Sequence, residues 1–181
     1  CSILPTTTQY ARNSLFSGLM PLEIKNKFPN KWIDEDENEG KNLHEEFFLN
    51  ENLRRNSIAG KFSYNKITNL SKGKKLLSNF NNLLQNNLNT IVYNFVDTLS
   101  HARTEMEVIK ELAEDESAYR SLTLSWFKHS PLYEMMKRMS ESSSKVFLTT
   151  DHGTIRVKNP TKIMGPKQTN SNMRYKVSKN L

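Results

Sequence analysis

The sequence is poor in the residues from which several kinds of site and anchor are built. Its 181 residues include one cysteine, which excludes an intramolecular disulfide and a zinc site made of several thiolates. No stretch approaches the roughly 20 consecutive apolar residues that a helix needs to span a bilayer. No secretory signal is visible either, so we expect a cytoplasmic protein that does not insert into a membrane.

An initiating methionine is also missing, because the sequence begins at Cys1 and runs within a few residues into a motif typical of the inside of a fold. We therefore expect residues 1–181 to form a single domain that is an internal portion of a larger one.

Acidic residues are absent from 153–181, whereas the chain as a whole carries 26 Lys and Arg against 19 Asp and Glu, a formal net charge of +7. This balance favours polyanionic partners such as phosphoesters or nucleic acid. The basic residues of this stretch include Arg156, Lys158 and Lys162. They are interpreted either as a solvated tail or as a surface that contacts such a partner.

Alternating helical and strand-like segments predict an α/β fold with a mostly parallel sheet flanked by helices. The predicted strands are residues 88–96, 145–149 and 154–157. The predicted helices are residues 9–17, a short one opening at Pro21, 41–56, 70–86, 105–114 and 117–142, the last interrupted at Pro131. Residues 33–40 and 97–104 read as loops. Helical spacing assigns to the core Trp126, Phe127, Met135, Met136 and Met139.

Two carboxylate–imidazole pairs each follow a predicted strand, which is where open parallel sheets bind ligands. Asp97 and His101 are four residues apart, so one helical turn brings both to one face. Asp151 and His152 are adjacent, which requires a tight loop, and Gly153 permits such a turn. These donors suit zinc or manganese better than calcium.

A group of three threonines precedes the first predicted helix. One interpretation is helix N-capping, which any of the three hydroxyls would serve. The other is a hydroxyl nucleophile at a helix N-terminus, where the helix dipole favours a phosphate. Lys41 with Asn42, or Arg12 with Asn13, are further candidates as hydrogen-bond donors to a phosphoryl oxygen, and of these Asn13 and Lys41 are favoured. His44 is interpreted as a surface residue or as one that supports a ligand side chain without touching the metal, and His129 as a packing or helix-capping residue.

Longer strings make a family resemblance specific. The sequence resembles the PglZ domain of the alkaline-phosphatase superfamily, and within it the version fused to a response-regulator receiver in PorX-type proteins. The resemblance covers essentially the whole chain. It rests on ILPT at 3–6 with TQYARN at 8–13, GKNLHEE at 40–46, YNFVD at 93–97 and TTDHGTIRV at 149–157. The Pro5-x-x-Thr8 opening followed by SGLMP at 17–21 is similar to the nucleophile segment of the nucleotide pyrophosphatase/phosphodiesterase branch of the same superfamily.

The resemblance implies a partial alkaline-phosphatase-like core with two zinc ions, or manganese in their place. Thr8 is then the nucleophile; Asp97 and His101 hold one ion, and Asp151 and His152 hold the other together with the Thr8 oxygen. The family pattern also uses an Asp upstream of the nucleophile and a His far downstream, and residues 1–181 contain neither of them.

The function that the resemblance implies is a phosphodiesterase or phosphatase acting on nucleotides or short oligonucleotides, with a receiver domain on the same polypeptide and a role in two-component signalling. The alternative is a catalytically inactive PglZ fragment that binds nucleic acid or protein. A third interpretation is a dimerising segment built from the helices at 41–56 and 105–142, so an oligomer is compatible with the sequence.

Overall fold

The computed structural model describes residues 3–34, 40–153, 157–159, 161, 162, 164 and 175. Two compact units form, one from Cys1–Ala59 with Phe147–Leu181 and the other from Gly60–Val146. Among the described residues, no helix has both the length and the apolar character needed to cross a membrane. The elements are α1 (Thr8–Ser17), α2 (Pro21–Lys27), α3 (Glu45–Arg55), β1 (Phe62–Ile67), α4 (Leu70–Ser78), α5 (Phe80–Leu83), β2 (Leu88–Tyr93), α6 (Phe95–Glu105), α7 (Glu107–Leu112), α8 (Glu116–Lys128) and α9 (Pro131–Ser140).

The first unit contains helices α1 to α3, and α1 packs against both others. Helix α1 ends at Gly18, whose φ of 65° is left-handed and whose N–H bonds to the Ser14 carbonyl. Helix α2 opens with Pro21 in its first turn, where a missing N–H costs nothing. The core of this unit consists of Ala11, Phe16, Ile24, Trp32, Ile33, Phe48, Leu49 and Leu53.

The second unit contains the sheet. Strands β1 and β2 are parallel, with a register that runs from Phe62 opposite Leu88 to Ile67 opposite Tyr93. Helices α4 and α5 make the connection between them, as parallel pairing requires. The fold is therefore α/β with a parallel sheet, as the sequence predicts, and it is consistent with part of an alkaline-phosphatase-like core.

Two hydrophobic clusters hold the second unit together. The larger consists of Ile67, Leu76, Phe80, Leu83 and Met135, with Met139 packed against it. The smaller consists of Leu99, Ala113 and Tyr119. Core roles are therefore confirmed for Met135 and Met139. They also fit Trp126, which stacks on Phe95 at 3.8 Å between ring centroids, and Phe127, which meets Tyr133 edge to face.

Two predicted segments are wrong in type, and one strand was missed. Residues 97–104 were expected to be a loop but lie inside α6, where Leu99 is buried against its cluster. Residues 145–149 form no strand, and Phe147 and Leu148 are 89% and 81% exposed, because the described sheet pairs only β1 with β2. Strand β1 was not predicted at all.

Other boundaries moved by a few residues. Helix 41–56 starts only at Glu45, and 70–86 divides into α4 and α5 around Asn79. Strand 88–96 stops at Tyr93 because Phe95 already opens α6. The break at Pro131 is confirmed, with Pro131 opening α9. The expected strand at 154–157 falls largely outside the described residues.

Candidate functional site

Thr8 is the first residue of helix α1, and its hydroxyl meets His152 from a loop 144 residues later in the chain. The distance between Thr8 Oγ1 and His152 Nε2 is 3.1 Å. The other ring nitrogen, Nδ1, lies 3.2 Å from the Gly153 carbonyl oxygen, which can only accept. In the neutral imidazole Nδ1 is then the donor, so Nε2 accepts the hydrogen of the Thr8 hydroxyl.

Asp151 adds a carboxylate to this contact. Its Oδ2 lies 3.7 Å from His152 Nε2, and the two side chains are only 17% and 16% exposed. The loop is held by Thr150, whose hydroxyl donates to the His152 carbonyl at 2.7 Å. A hydroxyl, an imidazole and a carboxylate therefore converge within the first unit.

Gly153 was expected to permit the tight turn at Asp151 and His152, but the backbone there does not require a glycine. Its backbone is not in the left-handed region, and a Cβ built on it would meet no atom within 4 Å. The adjacent side chains of Asp151 and His152 thus converge without any conformation that requires glycine.

The threonine beside the nucleophile candidate has a different environment. Thr7 holds the N-cap position of α1, yet its side chain makes no capping hydrogen bond. Its hydroxyl oxygen is buried and has no hydrogen-bond partner among the described residues. N-capping therefore does not account for the threonine side chains. The first turn of α1 also carries no acidic residue, so no carboxylate there would compete with a bound anion.

An asparagine pair ties the start of α1 to the segment before α3. The Asn42 side-chain amide donates to the Thr8 carbonyl and to Asn13 Oδ1, at 3.2 Å in each case. Asn13, which is 2% exposed, donates to the Lys41 carbonyl at 3.1 Å. The Lys41 ammonium donates to the carbonyl of Asp34. Asn13 and Lys41 thus make contacts that position Thr8, and binding of a phosphoryl oxygen by them remains a prediction.

A buried ion pair lies one turn further along α1. Arg12 Nε is 2.5 Å from Glu45 Oε1, and the Glu45 side chain is 1% exposed. Sequence reasoning named Asn42 as a possible donor to a phosphoryl oxygen, but it did not single out Glu45 as a contributor to the site. The available signal was the GKNLHEE string, which contains both and which the resemblance already marked.

The second predicted pair forms in the second unit. Asp97 and His101 lie on one face of α6, with Asp97 Oδ1 3.7 Å from His101 Nε2. The prediction from their spacing is therefore confirmed, although a helix and not a loop brings them together. Their side chains are 51% and 68% exposed, so both remain accessible to a ligand.

The donor chemistry of both sets fits zinc, which takes imidazole nitrogen and carboxylate oxygen. Within the described part of the chain, no group of three or more His, Cys, Asp or Glu side chains is arranged to hold a metal. Each set instead contributes one carboxylate and one imidazole, and the first adds the Thr8 hydroxyl. His129 belongs to neither set, because it ends α8 and its Nδ1 lies 2.7 Å from the Ser125 carbonyl.

The chain matches the family described as the BREX system PglZ alkaline phosphatase-like domain over residues 1–181. The chain belongs to the PglZ family. No curated protein is significantly similar to it. Membership places the PglZ chain among alkaline-phosphatase-like proteins, a superfamily of the phosphoesterase type, and it agrees with the helices and parallel sheet of the second unit.

Proposed function

We propose that this PglZ chain carries part of the site of a metal-dependent phosphoric ester hydrolase in which the Thr8 hydroxyl is the nucleophile. The observation that supports the proposal best is the 3.1 Å contact between Thr8 Oγ1 and His152 Nε2. Asp151 lies beside that contact, and the free amide groups of a helix N-terminus favour a bound phosphate.

In this proposal Asp97 and His101 hold one zinc ion, and Asp151, His152 and the Thr8 oxygen hold the other. Bound zinc, or manganese in its place, supplies Lewis acidity that favours the ionised hydroxyl and stabilises negative charge on the phosphoryl group. One further ligand for each ion, an Asp and a His, would come from outside residues 1–181.

The chain's own residues carry the bond changes. Thr8 Oγ1 loses its proton and forms a bond to phosphorus while the bond from phosphorus to the ester oxygen breaks. That oxygen leaves with the electron pair and takes up a proton in place of the one that Thr8 lost. Water then cleaves the phosphothreonine and restores the Thr8 hydroxyl. The contacts of Asn42 with the Thr8 carbonyl and Asn13 hold the first turn of α1 in place for both steps.

The proposed substrates are phosphodiesters, namely nucleotides or short oligonucleotides. The proposed setting is a cytoplasmic two-component signalling protein with a receiver domain on the same polypeptide. These details depend on the PorX-type resemblance, and the binding-module alternative is what remains if hydrolysis fails.

Thr8→Val in the protein extended at both ends provides the test. We expect hydrolysis of bis(p-nitrophenyl) phosphate with zinc to fall by about a thousandfold or more, because an isosteric methyl cannot attack phosphorus. Zinc content by mass spectrometry should change little. Thr7→Val is the matched control, since the Thr7 hydroxyl has no partner in the described structure and its loss should leave turnover unchanged.

Undiminished hydrolysis by Thr8→Val would remove Thr8 from this role. An equal loss in Thr7→Val would instead assign the effect to the fold of the helix start. Absence of hydrolysis in the extended parent, with zinc bound or not, would favour the binding module.

A further inference from the structure

A groove of about 390 Å³ lies in the second unit, along α4 and the junction between α8 and α9. Three lysines line it, and each comes from a different helix: Lys74 from α4, Lys128 from the end of α8, and Lys137 from α9. Glu134 is the one acidic residue in this lining. The groove therefore presents an excess of positive charge on a surface that the proposed hydrolytic site does not use.

A close approach between two helices creates the groove. Gly73 in α4 packs under the start of α9, where a Cβ on it would lie 3.2 Å from Pro131 Cγ. Because glycine lets the helices approach here, Lys74 and the lysines of α8 and α9 line one concavity. The arrangement is anchored by Met135, which is fully buried in the cluster of this unit.

The charges of the groove are poorly neutralised. Glu134 is shared between two cations, with its oxygens 4.0 Å from Lys137 Nζ and 3.9 Å from Arg138 Nε. Lys137 is further held over the Tyr133 ring, 4.7 Å from its centroid. Lys74 and Lys128 are exposed, and neither forms an ion pair with another residue in the described part of the chain.

The basic character continues beyond the groove. Within the second unit, residues 60–96 contain five lysines and no Asp or Glu. Lys72 and Lys75, which flank Lys74 on α4, are also exposed. A ligand with several phosphates spaced along a chain would therefore meet cations both inside and outside the groove.

We propose that this groove binds the phosphodiester backbone of a single-stranded nucleic acid. Lysine ammonium groups on flexible stems act as point charges that contact phosphates without reading base sequence. A concave surface suits a flexible strand better than a flat bilayer surface, which cannot enter it. The site is independent of Thr8 and of the two carboxylate–imidazole pairs.

The test measures binding of a fluorescein-labelled oligothymidylate of about 20 nucleotides by anisotropy, on the full chain in EDTA so that metal-dependent hydrolysis is excluded. Lys74→Glu with Lys128→Glu should weaken binding by about tenfold or more at low salt. The slope of log Kd against log salt, measured between about 50 and 200 mM, should fall by about 1.4, which is about 0.7 for each lysine on a single strand.

Lys110→Glu with Lys145→Glu is the matched control. Both of these lysines are exposed in the second unit and outside the groove, and either pair lowers the formal net charge by 4, from +7 to +3. We expect this control to weaken binding by less than about threefold, since net charge alone acts only at long range. Circular dichroism would verify that all variants remain folded.

Equal losses in the two pairs would overturn the proposal, because binding would then follow net charge and not the groove. Binding to vesicles of about one-third phosphatidylserine, with no binding to the oligonucleotide, would overturn it in favour of a lipid surface. Binding is measured in EDTA on the oligonucleotide, whereas hydrolysis is measured with zinc on bis(p-nitrophenyl) phosphate, so failure of the proposed hydrolysis and failure of this site are distinguishable.

Discussion

Glu45 supports the proposed nucleophile from within the first unit without touching it. Its carboxylate lies opposite Arg12, one helical turn after Thr8, and is almost fully buried. A buried ion pair contributes little net stability, but removing one partner leaves the other charge badly solvated. The pair joins α1, which carries Thr8, to α3, and sequence reasoning did not predict it.

Glu45→Gln is expected to destabilise the first unit by roughly 2–4 kcal/mol. This is somewhat less than the usual cost of breaking a fully buried ion pair, because Arg12 retains some contact with solvent. Trp32, a buried residue of this unit, reports the change by fluorescence during urea unfolding in a Trp126→Phe background. Glu46→Gln is the control: Glu46 is the exposed neighbour, and we expect a change within about 0.5 kcal/mol. Similar shifts for the two variants would contradict the role of the ion pair.

The sequence predicted contacts between side chains correctly where the spacing of two residues along one helix determines the contact. Asp97 and His101 meet on one helix face because i and i+4 side chains always do. Thr8 and His152 are different, since no local pattern brings together residues 144 positions apart. Only the family resemblance indicated that pairing, and the fold of the first unit shows the contact.

Among the elements, α4 shows how a small residue fixes helix packing. A Cβ at Gly73 would lie 2.7 Å from Tyr93 Oη as well as close to Pro131. That hydroxyl oxygen is buried without a partner among the described residues, and burial raises the pKa of Tyr93 above its ordinary value of 10.0. The hydroxyl therefore stays neutral at physiological pH and contributes crowding without a hydrogen bond.

Gly73→Ala should destabilise the second unit by about 1–2 kcal/mol, because overpacking outweighs the gain of about 1 kcal/mol in helix propensity. The change in the free energy of unfolding is measured by Trp126 fluorescence during urea unfolding in a Trp32→Phe background. Tyr93→Phe alone should be neutral or stabilising, and the double variant should recover most of the loss, since the closest clashing atom is gone. Ser71→Ala, exposed in the same helix, controls for propensity. A stabilised Gly73→Ala variant would refute the packing argument.

Element prediction failed where tertiary contacts outweigh local preference. Residues 97–104 contain threonine and serine and read as a loop, yet burial of Leu99 against Ala113 and Tyr119 stabilises a helix there. Strand β1 has a polar sequence, and its pairing with β2 is what makes it a strand. The segment 145–149 has the composition of a strand and no described partner.

For the whole molecule, the donors proposed for the two metals belong to different compact units. Asp151, His152 and Thr8 lie in the first, and Asp97 and His101 in the second. The number of zinc ions bound per chain therefore tests the proposed donors of each unit. This number can be measured without an assay of hydrolysis.

After dialysis we expect two zinc ions on the protein extended at both ends and fewer on residues 1–181, because each ion would lack one ligand in the shorter chain. In the extended protein, Asp97→Ala with His101→Ala and Asp151→Ala with His152→Ala should each remove about one ion. His129→Ala should remove none, since His129 only ends a helix. No zinc on any form would refute the two-metal proposal.

The sequence by itself determined the α/β class, the helix start at the threonines, the break at Pro131 and the facing of Asp97 and His101. These features depend on composition and on interactions between residues that lie only a few positions apart in the sequence. Only the tertiary structure decided that β1 is a strand, that Glu45 is buried against Arg12, and that Thr8 meets His152. Those outcomes depend on contacts between residues far apart in the chain, whose free energy no local window contains.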